Sequence, residues 1–352
     1  MKTIYMTRKV KLFGFVLLAF AVLYFAGCNN AAEDEVKEQV ITYDATTGVG
    51  SINGEASFKM IPIDSVTNGS IGHADFGDND VHTVSLTAYS IGETEVTQEL
   101  WKAVMGKNPS LFNNTGMQYA EEPHEEDDLK FDTDPASGEV QKNRPVERIN
   151  WYQAISFCNK LSIKLGLEPC YTVTVGGIPV DFATLAYDDI PKANNLASAA
   201  WNDAVLDMSK NGFRLPTEAE WEWAAKGGVD DKWAGTNDED KLKEYAWYNN
   251  DSGGDAGMKT HEVKKKKPNG YGLFDMSGNV FEWCWDWMTT ETPAGGLTDP
   301  TGEVPAESSY REKRIARGGC WVLESNAMSC AYRFAPYSDD MTPLTGLRLV
   351  KR

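Results

Sequence analysis

Three hydropathy patterns succeed one another along this chain. An unbroken apolar run, Leu12 to Ala26, opens it behind Lys2, Arg8, Lys9 and Lys11. Alternation then predicts strands over 57–63 (SFKMIPI) and 84–89 (VSLTAY). Three segments follow with apolar residues at helical spacing, each behind a start signal. Thr97 precedes Leu100, Trp101 and Val104; Asn150 with Gln153 precedes Ile155, Cys158, Leu161 and Leu165; Thr217 with Glu220 precedes Trp221, Trp223 and Ala224. The last two are capping boxes, in which each end of the box satisfies an otherwise orphaned backbone N–H of the other. Gly166 and Gly227-Gly228 are natural stops. Beyond Gly228 neither period persists. Trp, Gly and Asn dominate, which predicts irregular backbone pinned by aromatic packing, short strands and ions.

The opening run is about fifteen residues, short for a membrane span and typical of a signal peptide. It ends in Phe25-Ala26-Gly27-Cys28, which resembles a bacterial lipobox, so Cys28 is the expected lipidated first residue. The organisation read from this is a leader over 1–27, an acidic tether over 28–50 and a folded region over 51–352. Insertions are expected near 113–143 and 172–211. The protein is then expected in the bacterial cell envelope, held to the membrane through lipid on Cys28 and exposed outside the cytoplasm.

A formal charge of −18, more negative still without the four basic leader residues, repels phosphate backbones and argues against nucleic acid as a partner. Lys264 to Lys267 is the local exception and reads as a solvated loop. Five cysteines follow Cys28, an odd number, and no CxxC pair suggests structural zinc. His73, His82, His124 and His261 are scattered, with no metal-ligand spacing.

The segment Gly270 to Trp283 (GYGLFDMSGNVFEW) is too broken for a helix and too polar for a buried strand. Its glycines give backbone freedom. Asp275 and Glu282 offer hard oxygen donors, and carbonyls between them can complete a calcium shell.

Taken in order, 91–101 (IGETEVTQELW), 144–161 (RPVERINWYQAISFCNKL), 212–228 (GFRLPTEAEWEWAAKGG), 268–287 (PNGYGLFDMSGNVFEWCWDW), 317–321 (RGGCW) and 346–350 (GLRLV) resemble the formylglycine-generating enzyme, or sulfatase-modifying factor, family. That resemblance implies an α+β variant of the C-type lectin fold with little regular secondary structure. It also implies a structural calcium held by the side chains of Asp275 and Glu282 and the carbonyls of Gly278 and Val280. A second family calcium is doubtful, because Trp247 falls near a ligand position and only Asp255 remains. The pairings Cys158–Cys170 and Cys284–Cys330 stay open.

The enzymes oxidise a substrate cysteine with copper held by two cysteines after an Arg-Gly-Gly-Ser element, a soft-donor pair suited to copper(I). Aligning Arg317-Gly318-Gly319-Cys320 with it puts Leu323 and Met328 at those positions, so copper is not expected. The iron-binding histidines of the ergothioneine-forming branch are also missing. Another branch displays variable side chains after the Arg-Gly-Gly turn, where this chain has Val322 to Thr345. The expected function is thus a surface-anchored, non-catalytic module that binds a protein, peptide or glycan. Its candidate surface is Val322, Leu323, Glu324, Ser325, Asn326, Met328, Tyr337, Asp339 and Asp340. The alternative is an exported oxidoreductase acting on sulfur.

Overall fold

The computed structural model describes residues 39–115, 132–192, 196–249, 255–305 and 310–352. The leader and Cys28 lie outside the described residues, as do positions 116–131 of the first expected insertion.

All three anticipated helices form, and their caps explain where. Helix α1 (Gln98–Met105) starts where Thr97 accepts from the Leu100 N–H and stops at Gly106, whose φ of 77° few other residues tolerate. Helix α2 (Trp151–Lys164) has its capping box, with Gln153 N–H to Asn150 at 2.9 Å and Asn150 N–H to Gln153 at 3.0 Å. Helix α3 (Leu196–Asn202) belongs to the second expected insertion. Helix α4 (Glu218–Lys226) opens with the Thr217–Glu220 box and closes on Gly227 at φ 64°.

Helices α1 and α2 pack through Trp101 and Phe157, whose rings stack 5.0 Å apart within the larger hydrophobic cluster. Helix α4 turns Trp221, Ala224 and Ala225 into a second cluster with Ile63, Ile71, Val84 and Leu86. A five-stranded sheet runs in the order 41–44, 49–52, 55–63, 89–92, 350–351, so the two ends of the described fold share one sheet. A three-stranded sheet centres on Phe281–Trp287, between Arg314–Arg317 and Thr345–Gly346. Another centres on His82–Leu86, flanked by Val66–Ile71 and Leu297–Thr298.

Two boundaries need correction. Residues 84–89 are not one strand: Leu86 ends a strand of one sheet and Tyr89 begins a strand of another. Thr87 and Ala88 are exposed at this corner, and the buried residues on either side, Val84 and Leu86 before it and Tyr89 and Ile91 after it, enter the same hydrophobic cluster. The tether expected over 28–50 is also too long. Ile41–Asp44 and Val49–Ile52 already pair as a hairpin, with Ile41 opposite Ile52, both buried. Regular structure is sparse after α4, as expected; the longest strand there is Phe281–Trp287.

Candidate functional site

The glycine-rich 270–283 segment and the Arg-Gly-Gly turn are far apart in sequence but built against each other. The Gly278 N–H donates to the Gly318 carbonyl at 2.7 Å, and the Trp321 N–H to the Asn279 carbonyl at 2.9 Å. The Ser277 hydroxyl donates to the Met328 carbonyl at 2.7 Å. Gly318 and Gly319 have φ of +100° and +78°. A Cβ on Gly319 would lie 2.7 Å from the Ala327 carbonyl oxygen, so this turn needs glycine for both torsion and space.

The backbone beyond the turn is held from below. Arg317, fully buried, donates to the carbonyls of Ala331 and Tyr332 at 3.0 Å each and Cys330 at 2.7 Å, and pairs with Glu222. The Trp233 indole N–H reaches the Ser325 carbonyl at 2.7 Å, and that of Trp321 the Pro343 carbonyl at 2.9 Å. With its carbonyls taken inside, the segment turns side chains outward. Glu324, Asn326 and Tyr337 are exposed; Val322, Leu323, Ser325, Asp339 and Asp340 are half-buried.

These residues rest on two supports. Val322 to Asn326 lean on the 233–249 stretch, with the Asn249 N–H donating to the Leu323 carbonyl at 3.0 Å and the Ser325 hydroxyl meeting Glu239 at 2.5 Å. Tyr337 to Asp340 sit beside the Arg314–Arg317 strand, where the Ser338 N–H donates to the Glu312 carbonyl at 2.7 Å and the Lys313 ammonium lies 4.9 Å from the Tyr337 ring centre. Met328 is a correction. It is fully buried against Trp233, Leu242 and Tyr248, so it packs the underside of the loop and presents nothing to a ligand.

No thiolate pair stands beside the turn among the described residues. Leu323 and Met328 occupy the positions in question, and Cys320 and Cys330 are buried in different hydrophobic clusters. Burial pushes each of these two thiols up to about 12, well away from the metal-binding thiolate form. All five described cysteines are free, so neither Cys158–Cys170 nor Cys284–Cys330 is a disulfide here.

The calcium donors fit in part. Asp275 is 2% exposed, its Oδ2 accepts from the Lys264 N–H at 2.9 Å, and its Oδ1 has no hydrogen-bond partner. Burial pushes this carboxyl up to about 6. Glu282 does not fit as drawn from the sequence. Arg348 donates to both of its oxygens at 2.6–3.0 Å, and the Trp221 indole N–H donates to one at 2.6 Å. Glu95 adds a third buried carboxylate, accepting from the Val280 N–H at 3.1 Å and the Asn279 amide at 2.9 Å. Desolvation first, then Asp275 and Glu282, push Glu95 well above the usual carboxylate range. Among the described residues no group of three or more His, Cys, Asp or Glu has metal-cage geometry. At the doubtful second position, Trp247 stacks on His261 at 3.7 Å and Asp255 pairs with Lys266 at 2.7 Å. Lys264, Lys265 and Lys267 are likewise each paired, to Glu93, Glu262 and Glu244, as a solvated loop would be.

Sequence reasoning missed a cavity of about 410 Å³ between the start of α4, Asp286 and the 289–303 loop. Glu218, Asp286 and Arg333 line it. Asp286 lies inside an aromatic strand, FEWCWDW, that buries two acidic residues, and nothing in its pattern marked Asp286, unlike Glu282, as part of a site.

Residues 56–352 match the model of the sulfatase-modifying factor enzyme 1-like domain. The chain is similar to the chaperone protein LppX of Paenibacillus barcinonensis, 34% identical over 76% of this chain and 81% of that one. It is similar to the formylglycine-generating enzyme of Thermomonospora curvata, 36% identical over 42% of this chain and 52% of the enzyme, so it spans about half the enzyme's length. Among solved structures, Treponema denticola variable protein 1 is 53% identical and superposes with a TM-score of 0.73, over 85% of this chain and 96% of that chain. With the α+β fold, the cap-defined helices and the joined glycine turns, these matches show that the chain belongs to the sulfatase-modifying factor, or formylglycine-generating enzyme-like, family.

Proposed function

We propose that this protein is a lipid-anchored recognition module of the cell envelope that binds a protein, peptide or glycan through side chains displayed between Val322 and Asp340. One observation carries the reading: the loop backbone is fastened from inside by Arg317, Trp321 and Trp233, while Glu324, Asn326 and Tyr337 face solvent. Such preorganisation lowers the entropic cost of binding, and Tyr337 adds contact area with few rotatable bonds. The likeness to a variable protein and to a chaperone protein supports recognition; the protonated, separated Cys320 and Cys330 count against copper chemistry. Membrane attachment would come from lipid on Cys28; no helix among the described residues is long and apolar enough to cross a membrane.

The test is to probe peptide and glycan arrays with the mature chain and with a Glu324→Ala, Asn326→Ala, Tyr337→Ala variant. Saturable binding that the variant loses, at unchanged melting temperature, is expected. Tight copper(I) uptake with oxygen consumption on a cysteine peptide would establish the oxidoreductase reading instead. Sequencing the locus across isolates adds a second check: variation confined to Val322–Thr345 would identify a diversified binder.

Calcium belongs to the same reading as a stabiliser of the loop beneath this surface. Asp275 Oδ1 with the carbonyls of Gly278 and Val280 would hold it, and Glu282 would remain shared with Arg348 and Trp221. Calcium is expected to raise the melting temperature of the chelated protein and to leave an Asp275→Ala variant unmoved. No shift in the unmodified protein would mean that Arg348 alone neutralises the loop.

A further inference from the structure

The cavity beside α4 shares no residue with the displayed loop surface, and its chemistry points to a ligand of its own. Asp286 is only 5% exposed yet lines it. Its Oδ2 accepts from the Glu218 N–H at 2.8 Å, while Oδ1 takes no hydrogen bond from the described residues. The neighbouring cations are already committed. Arg333 donates to Glu218 at 2.7 and 3.1 Å and to the carbonyls of Asp78 and Thr289 at 2.9 Å each. Arg314 donates to the carbonyls of Trp285 and Asn202 and lies 3.3 Å over the Trp287 ring. Arg317 pairs with Glu222. An oxygen of a mostly buried carboxylate therefore opens to the cavity without a donor from the described residues, and the lining carries Glu291 and Glu303 and no lysine.

Space beside that oxygen is kept open by glycine. A Cβ on Gly302 would lie 2.9 Å from Asp286 Oδ1, and Gly302 sits at φ +69°. Apolar walls surround the polar end: Trp287, Ala219 and Leu297 line the same cavity. The pattern is an acceptor at the bottom, hydrocarbon on the sides and negative charge at the mouth. Desolvation, with Glu218 nearby, raises the Asp286 carboxyl to about 7, and the positive charge of an arriving cation favours its ionised form.

We propose that this cavity binds a primary alkylammonium group, whose N–H donors meet Asp286 Oδ1 while its hydrocarbon stem lies along Trp287, Ala219 and Leu297. The group is that of a lysine side chain or a free aliphatic amine. Strength would come from a charge-assisted hydrogen bond made where water is mostly excluded.

Calorimetric titration of the full mature chain at pH 8 tests this with three probes: n-pentylamine, Nα-acetyl-lysinamide and n-pentanol. Saturable binding is expected for an amine, at least roughly tenfold tighter than for pentanol. Preference for acetyl-lysinamide assigns the source to a peptide side chain, and preference for pentylamine assigns it to a free amine. Asp286→Asn keeps an acceptor for the Glu218 N–H and should lose the amine preference without losing the fold. Gly302→Asn, a residue that tolerates positive φ, should fill the space beside Oδ1 and abolish binding. Equal binding of pentylamine and pentanol, or of pentylamine to the unmodified and Asp286→Asn proteins, would overturn the proposal. So would no heat change with either amine, in a protein whose melting curve is normal.

Discussion

The α1–α2 sector and the 270–350 sector solve the same burial problem with different chemistry. In the first, regular helices hide their own backbone polar groups, and side chains such as Ile155 and Phe157 need only fill volume. In the second, much of the backbone is irregular, and its carbonyls need donors from elsewhere. Buried arginines provide them. Arg348 serves Gly92 and Phe274 carbonyls as well as Glu282; Arg317 serves three carbonyls as well as Glu222; Arg314 serves two. A guanidinium has five donors in a fixed fork, so one side chain can close several loops at once. The helical sector should therefore tolerate changes of shape, and the loop sector should fail on loss of a single charge.

The sharpest way to break this contrast is at Arg348. Arg348→Met leaves Glu282 buried and uncompensated and should cost about 3–5 kcal/mol in urea denaturation. Phe157→Leu, which only alters packing, should cost distinctly less. Adding Glu282→Gln to Arg348→Met should recover part of the loss. If the two single variants cost the same, the supposed division between sectors is wrong.

The second effect is a pH dependence. The Asp286 carboxyl sits near 7 in the fold, against an ordinary value of 3.8, so between about pH 4 and 7 the native state holds a proton that the unfolded chain releases. Stability from this group is present at acid pH and is lost as pH rises through that window. Asp286→Asn should flatten the fall, gaining on the order of 1–3 kcal/mol relative to the unmodified protein above pH 7. Glu147, raised by burial to about 7, keeps a residual slope of the same sign in the variant. A variant that loses stability equally at pH 5 and pH 8 would show Asp286 to be an ordinary ionised group.

Smaller still, Thr217→Ala removes the oxygen that accepts the Glu220 N–H at 3.2 Å and should cost about 1 kcal/mol, read as a lower urea midpoint. At the bottom of the scale, Glu324→Ala and Asn326→Ala should each stay within about 0.5 kcal/mol. A larger loss at either would mean that the displayed face carries structure, and the distinction between support and surface would need redrawing.

What could be read from the sequence was whatever is local. Thr97, Asn150 and Thr217 act within three or four residues of themselves, so their caps announce the helices directly. The joined glycine motifs announced the fold through resemblance. The Glu282–Arg348 pair, by contrast, connects residues with no periodic relation, and Glu282 viewed alone looks like a free oxygen donor. Met328 looked displayed because its neighbours are; the tight turn of Ser325–Met328 rotates it inward. Asp286 was silent for the same reason, since only the approach of α4 turns an ordinary strand position into an enclosed one.

The cysteines carry one last implication. Cys158, Cys170, Cys284, Cys320 and Cys330 are unbridged and enclosed, and desolvation raises every thiol. A chain built this way needs neither an oxidant nor a disulfide isomerase to reach its fold. Its melting behaviour should be the same in dithiothreitol as in air.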